Sequence, residues 1–251
     1  MGTPPIHNYT KQDYQAETQN WAIQQTENGL LYFGNNLGLL EFDGTRWTTY
    51  PLPNRSIVRS LAMTSEGTLL VGGQGELGYF AESQAGPPRY HSLLPFLPES
   101  EHAFADVWKI LPTPDGIFWG TYNGMFRMES SLENPSFQMI RTADRFDNFF
   151  LCQGKVLVAE TNQGIKVWEN GSLELIPGGD FFKDKEIVSV LPHPFQGWLV
   201  LTRRQGIFHY QMDNIQPWAA ALVPYFAESQ IYCGEVLQNG EFLKTLRHIK
   251  K

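Results

Sequence analysis

The apolar positions of this chain come in short bursts separated by polar and glycine-bearing turns. Leu30–Phe33 (LLYF), Thr68–Val71 (TLLV), Ile117–Trp119 (IFW), Val156–Val158 (VLV) and Trp198–Leu201 (WLVL) each follow a polar residue and a glycine, or sit one residue beyond them. Runs of this length, rich in β-branched and aromatic residues and bounded by Gly and Asn, predict strands. They do not alternate cleanly between apolar and polar, as expected of strands covered on both faces. No stretch holds ten or more residues at helical spacing, so helical repeats are disfavoured.

Laying the first burst over the rest of the chain exposes a repeat. Six segments match: NGLLYFGNNLGLLEF from Asn28, EGTLLVGGQGELGYF from Glu66, DGIFWGTYNGMFRM from Asp115, QGKVLVAETNQGIKVW from Gln153, QGWLVLTRRQGIFHY from Gln196 and NGEFLKTLRHIKK from Asn239. Their leading glycines, Gly29, Gly67, Gly116, Gly154, Gly197 and Gly240, are separated by 38, 49, 38, 43 and 43 residues. A period of roughly 40 to 50 residues with four strands per unit is that of a β-propeller blade. The fold predicted is therefore all-β, a propeller of four-stranded antiparallel blades with about five complete blades and a partial sixth. It is read as a single propeller over residues 1–251, in units of approximately 17–54, 55–100, 101–143, 144–183, 184–230 and 231–251.

Within the first unit the four strands, A to D, are expected near Asn20–Thr26, Leu30–Gly34, Leu37–Phe42 and Arg46–Tyr50. Later A strands are expected in SIVRSLAMT, ADVWKILPT, DNFFLCQ, EIVSVLPH and IYCGEVLQ. The glycine of each A to B turn supplies the positive φ of a tight reversal. The small residue ending strand B (Gly34, Gly72, Gly120, Ala159, Thr202, Thr245) implies close packing of one blade on the next. The sixth unit stops at Lys251 before its strands C and D. Either an N-terminal segment such as IHNYT closes the ring, or the chain is part of a larger ring, which is the expectation adopted. Open edges would favour association, for instance as a homodimer.

Composition narrows the partners. Nineteen Lys and Arg against 26 Asp and Glu give a net charge of −7, and nucleic acid is not an expected partner of such a surface. No apolar run is long enough to span a bilayer, and MGTPPIHNYTKQ lacks the order of a signal peptide. The two cysteines, Cys152 and Cys233, have no metal-binding spacing and fall two blades apart, beyond disulfide reach. Both are expected to be buried free thiols.

The form (D/N)-G-x-(L/I)-apolar-x-G-T-x-x-G-(L/M)-x-x-(F/Y), best seen in DGIFWGTYNGMFRM, resembles the two-component regulator propeller repeat. The strings IHNYTKQDYQAETQNW, LLVGGQGELGYF and IYCGEVLQNGEFLKTL are similar to the N-terminal sensor propeller of Bacteroidetes-type regulators that carry a triple-tyrosine domain. The resemblance implies a non-catalytic, extracytoplasmic (periplasmic) ligand-sensing region of a membrane-anchored regulator. It also implies downstream triple-tyrosine and output domains that these 251 residues do not contain. Unit four has Ala159-Glu160 and unit five Thr202-Arg203 where Gly-Thr is usual, so packing there is expected to differ.

In antiparallel blades the B to C loop shares an end with the D to A connection. The B to C loops (GNNLG, GGQGELG, GTYNG, ETNQG, TRRQG) and the long segments SQAGPPRYHSLLPFLPESEHAFA and DNIQPWAAALVPYFAESQ, read as D to A connections, make that end the expected binding face. Asn35, Asn36, Gln74, Tyr122, Asn123, Asn162, Gln163, Arg203, Arg204 and Gln205 are the candidate ligand-binding residues. Amides, a ring and guanidinium donors suit a small polar ligand such as an oligosaccharide or an acidic glycan fragment. No catalytic residue, metal ligand or cofactor is assigned. The alternatives are a lyase or hydrolase of the streptogramin-lyase type, with His and Glu converging on the axis, and a protein-interaction scaffold. The G-x-G-x-x-G of Gly73, Gly75 and Gly78 joins two expected strands and so lacks the helix a dinucleotide site needs. Asp180, Asp184 and Glu186 depart from calcium-loop spacing, and the six histidines are scattered.

Overall fold

The computed structural model describes residues 6–83, 86–129, 131–237 and 242–248. Among them, strands form five four-stranded antiparallel sheets and one two-stranded sheet, each in simple sequential order. The first sheet joins β1 (Asn20–Gln25), β2 (Leu31–Asn35), β3 (Gly38–Phe42) and β4 (Trp47–Tyr50). The second joins β5 (Val58–Met63), β6 (Leu69–Gly73), β7 (Leu77–Ser83) and β8 (Gly86–Ser92). The third holds β9 (Lys109–Thr113), β10 (Gly116–Gly120), β11 (Gly124–Met128) and β12 (Phe137–Arg141). The fourth holds β13 (Phe146–Cys152), β14 (Lys155–Glu160), β15 (Gly164–Glu169) and β16 (Ser172–Leu175). The fifth holds β17 (Ile187–Pro192), β18 (Trp198–Thr202), β19 (Gly206–Gln211) and β20 (Asn214–Trp218), and β21 (Ser229–Val236) pairs with β22 (Phe242–His248). This is an all-β propeller architecture of four-stranded blades, five complete and a sixth represented by two strands.

The described residues fall into two compact units. One runs through Thr121 and includes Met125–Met139; the other comprises Tyr122–Gly124 and the chain from Ile140 onward. In the first, Leu70, Leu77, Val107, Trp119 and Phe126 are fully buried in one cluster, and Leu39, Val58 and Val71 in another. In the second, Leu157, Ile165, Val200 and Phe182 form the larger cluster, and Leu199, Phe226 and Ile231 a smaller one. Two of the B strands, β6 and β18, are buried along their whole length, as their unbroken apolar runs require, and β14 is buried from Val156 to Glu160.

The strand-ending glycines do the packing work inferred for them. A Cβ on Gly72 would lie 2.6 Å from Val107 Cγ1, and one on Gly34 would lie 2.9 Å from Val58 Cγ1, in each case a residue at the start of the next blade. Blades four and five differ, as their sequences imply. Glu160 and Thr202 are buried there, with Thr202 Oγ1 donating to Gly206 O at 2.8 Å. The A to B turn glycines Gly29, Gly67, Gly116, Gly154 and Gly197 all have positive φ; Gly240 lies outside the described residues, as do the side chains of β22, Thr245 included.

Two expectations need correction, and one of the two alternatives for the ring's closure is set aside. The segments read as long D to A connections contain the D strands β8 and β20. Their prolines disguised them, yet both are last in their sheets, where proline is tolerated, and Pro87 and Pro88 fall where the pairing of β7 with β8 shifts register. Ile6–Thr10 forms no strand: Tyr9 packs edge-on against Phe42 and Trp47 of the first blade. Cys152 is a buried free thiol, but Cys233, which follows the register shift of β21, is exposed and in no disulfide.

Candidate functional site

That slip belongs to a series. At the start of strand A the register shifts in five sheets, leaving one extra residue at Trp21, Arg59, Asp147, Val188 and Tyr232. A bulge bends the strand and re-aims the extra side chain. The following residue ties the strand to the next blade where its side chain allows. Ser60 Oγ donates to Val107 O at 2.7 Å, Asn148 Nδ2 to Ile187 O at 3.4 Å, and Ser189 Oγ to Gly234 O at 3.0 Å. In the first, second, fourth and fifth blades the bulge lies at the end shared by the B to C loop, so the two devices together supply the surface at that end of each blade.

In the second unit this surface is hollowed into a cleft of about 540 Å³. Tyr122 comes from the β10–β11 loop, Thr161 from β14–β15, Arg203 from β18–β19, and Lys183 to Glu186 from the connection into β17; the bulge residues Asp147, Val188 and Tyr232 complete it with Arg145, Asn148 and Ile187. Backbone bonds fix these loops. Phe146 N donates to Tyr122 O at 3.0 Å, Thr161 N to Arg145 O at 2.9 Å, Arg203 N to Glu186 O at 2.8 Å, and Ile231 N to Arg203 O at 2.9 Å.

Each cleft arginine is steered by a carboxylate and a ring. Arg145 lies 4.3 Å from the Tyr122 ring centroid, and its Nε pairs with Asp147 Oδ1 at 3.2 Å. The other Asp147 oxygen accepts from Thr161 Oγ1 at 2.8 Å. Arg203 lies 5.6 Å from the Tyr232 ring, and its Nε pairs with Glu186 Oε1 at 2.5 Å. Lys185 Nζ donates to Asp184 Oδ1 at 2.6 Å and to Phe181 O at 2.8 Å. The hydrogen bond from Lys185, then its charge, holds the Asp184 carboxyl below the ordinary carboxylate range. Tyr232 is 57% exposed, a ring face open to solvent at the cleft wall.

Beneath the loop that carries Thr161, Glu160 is 3% exposed. Its carboxylate takes Lys166 Nζ at 2.6 Å, Thr142 Oγ1 at 2.5 Å and Ala143 N at 3.2 Å. Burial opposes its ionisation, but these donors outweigh burial and keep its pKa below the ordinary value.

The first unit carries a filled counterpart. The Arg59 guanidinium lies 3.9 Å from the Trp21 ring centroid and 5.0 Å from that of Trp108, and its Nε pairs with Asp106 at 2.8 Å. Trp21 Nε1 donates to Asn36 Oδ1 at 2.7 Å.

Of the ten candidate residues, Tyr122 and Arg203 line the cleft together. Asn35 is fully buried and spent on structure, its Nδ2 donating to Glu17 O, Gln19 O and Asn20 Oδ1 and its Oδ1 accepting from Leu37 N. Asn36 holds Trp21, and exposed Gln74 bridges to Asp106 in the first unit. Asn123 and Gln163 are exposed, Asn162 donates to Asp144 Oδ2 at 2.7 Å, and Gln205 N donates to Thr202 Oγ1. Arg204 Nε and Nη2 donate to the Gln230 amide oxygen at 3.0 and 2.5 Å. Sequence reasoning missed Arg145, Asp147 and Tyr232, which stand at strand starts, and Lys183, which stands in the connection into β17, rather than in the Gly-rich B to C loops. Among the described residues no three His, Cys, Asp or Glu side chains gather as a metal site, and no helix is long and apolar enough to cross a membrane. His193 and His209 stack at 4.0 Å beside the A to B turn of blade five, at the other end of the sheet from the cleft loops.

No family model and no curated protein sequence matches the chain. Among solved structures, the chain is similar to two of an extracellular domain from B. thetaiotaomicron, BT4673, described once as a one component and once as a hybrid two component system. Identities are 19% and 18%, with TM-scores of 0.65 and 0.64. Each covers 90% of this chain, which spans 30% of the length of those domains. The WD40 propeller domain of Doa1 is similar at 12% identity and a TM-score of 0.60, over 90% of this chain and 78% of that one. The chain thus shares the propeller fold of an extracellular domain of a bacterial regulatory system.

Proposed function

We propose that this chain is a non-catalytic, extracytoplasmic ligand-sensing propeller of a two-component-type regulator, and that it takes a small polar ligand of sugar type in the cleft of its second unit. The carrying observation is the construction of that cleft. Two arginines, each paired with a carboxylate and laid toward a tyrosine, and an exposed ring face surround a polar hollow whose loops are pinned by backbone hydrogen bonds. Rings that offer an apolar face beside fixed polar groups are what a sugar, with its own apolar face and hydroxyl rim, requires. The shared fold with the BT4673 extracellular domain supports the sensor reading. Downstream triple-tyrosine and output domains, and a second copy of the chain, are the partners this reading supplies; nucleic acid is not among them for a chain of net charge −7.

A thermal-shift screen of mono- and oligosaccharides, followed by calorimetry, tests it. A ligand at 100 times its Kd should stabilise the chain by about 2.7 kcal/mol. That shift should vanish in Tyr122→Ala and Tyr232→Ala. Hits indifferent to both changes, or no hit together with turnover in a lyase assay, would overturn the reading.

A further inference from the structure

We infer that the cleft ligand carries an oxyanion, a carboxylate or sulfate group on its sugar-like ring, and that Lys183 is the residue that receives it. This rests on the cleft being the ligand site.

Four cationic side chains, Arg145, Lys183, Lys185 and Arg203, line the cleft against three carboxylates, Asp147, Asp184 and Glu186, on a chain whose net charge is −7. The local sign is thus opposite to that of the protein. The acceptors are already committed: Asp147 to Arg145 and Thr161, Asp184 to Lys185, Glu186 to Arg203. Asn148 is committed too, its Oδ1 accepting from Phe149 N at 2.9 Å and its Nδ2 donating to Ile187 O.

The donors are not used up. Each arginine pairs through Nε, and the guanidinium fork keeps its Nη groups for a further acceptor. Lys183, exposed at the cleft, has no ion pair among the described residues. A neutral polyol would answer these donors with hydroxyls. An oxyanion answers them with charge-assisted bonds about twice as strong, and brings no proton that would compete for the occupied carboxylates.

The test uses the full chain labelled with nitrogen-15. Inorganic sulfate, titrated against chloride at matched ionic strength, should shift the amides of Lys183 to Val188 and of Arg203 saturably. Lys183→Gln should weaken that binding about fivefold to tenfold, and Lys183→Glu should abolish it with the remaining spectrum unchanged. In a second titration D-glucuronate and glucose 6-sulfate should bind in preference to D-glucose, and Lys183→Gln should erase the preference. Shifts equal to those of chloride, or sulfate affinity unaltered by Lys183→Gln, would overturn the inference. Equal binding of glucose and both anionic sugars would overturn it while leaving the sensor cleft standing. Saturable sulfate binding without any sugar binding would support the anion subsite and count against the sugar reading.

Discussion

Replacing Glu160 should destabilise the second unit and loosen the cleft at the same time. Its side chain is 2% exposed and that of Lys166 is 22% exposed, so Glu160→Ala leaves an ammonium largely buried without its partner. It also strips the acceptor from Thr142 Oγ1 and Ala143 N. Breaking a buried pair from one side costs about 3–5 kcal/mol, and the partial exposure of Lys166 argues for the lower figure, about 3 kcal/mol. For a chain of this length that corresponds to a fall in Tm of about 6–12 °C. Glu160→Gln keeps an acceptor for Thr142 and Ala143 and should cost less. Glu160→Gln with Lys166→Met should recover most of what remains, since no charge is then left unpaired.

The assay is urea denaturation followed by far-UV circular dichroism, repeated across pH. Donors hold the ionised form of Glu160, so its folded pKa lies below the unfolded value of 4.5. The stabilisation is fully present above pH 4.5 and is lost as pH falls through the lower, folded value. The wild type should lose that increment on acidification, and Glu160→Gln should not. Because Thr142 and Ala143 lead directly into Arg145, ligand affinity should fall in Glu160→Ala even where the fold persists. A loss under about 1 kcal/mol, or identical acid profiles for wild type and Glu160→Gln, would refute this account.

Gly72→Ala would set a Cβ 2.6 Å from Val107 Cγ1 and 2.8 Å from its Cβ, so it should cost about 1–3 kcal/mol by thermal or urea unfolding; a neutral result would deny the blade-to-blade packing. Native thiol titration should find one reactive cysteine, the exposed Cys233, and a second only on denaturation, because burial covers Cys152 and pushes its thiol up to about 11. Two fast thiols would contradict that placement. Tyr232→Ala should alter stability by no more than about 0.5 kcal/mol, its ring being 57% exposed, whereas Arg59→Ala, removing a guanidinium paired with Asp106 and laid on two indoles, should destabilise by more than 1 kcal/mol. Equal effects of the two would mean the bulge positions are structurally alike.

The blades were legible because their information is local. Gly29 and Gly67 mark turns that need positive φ, and runs such as LLYF announce strands covered on both faces. The first unit's strands were expected within a residue or so of where β1 to β4 stand. Strands D were not legible in blades two and five, because Pro87, Pro88 and Pro217 carry the composition of loops and are accommodated only because these strands are last in their sheets and pair on one side. The candidate site was half legible. Loop composition pointed to the end of the blades at which the second unit's cleft lies, and to Tyr122 and Arg203 in its lining, but Asn35 has the polarity of a binding residue and the burial of a structural one.

Residues that share no chemistry can still share a position. Trp21, Arg59, Asp147, Val188 and Tyr232 have no type in common, and a bulge is a slip between two strands, so neither composition nor periodicity reveals it. What they share is an offset: each stands seven to nine residues before the glycine of its own A to B turn. Pairing on both flanks holds the bulge, and the next residue anchors the strand to its neighbour through Ser60, Asn148 or Ser189, so the backbone device accommodates side chains of different type at the extra position. In one unit the series yields an arginine laid against two tryptophans that meet edge to face; in the other it yields a tyrosine, an aspartate and a valine around an open cleft. The same backbone device thus builds a filled surface or a receptive one, and the difference lies in the side chains at those offsets and in the loops beside them.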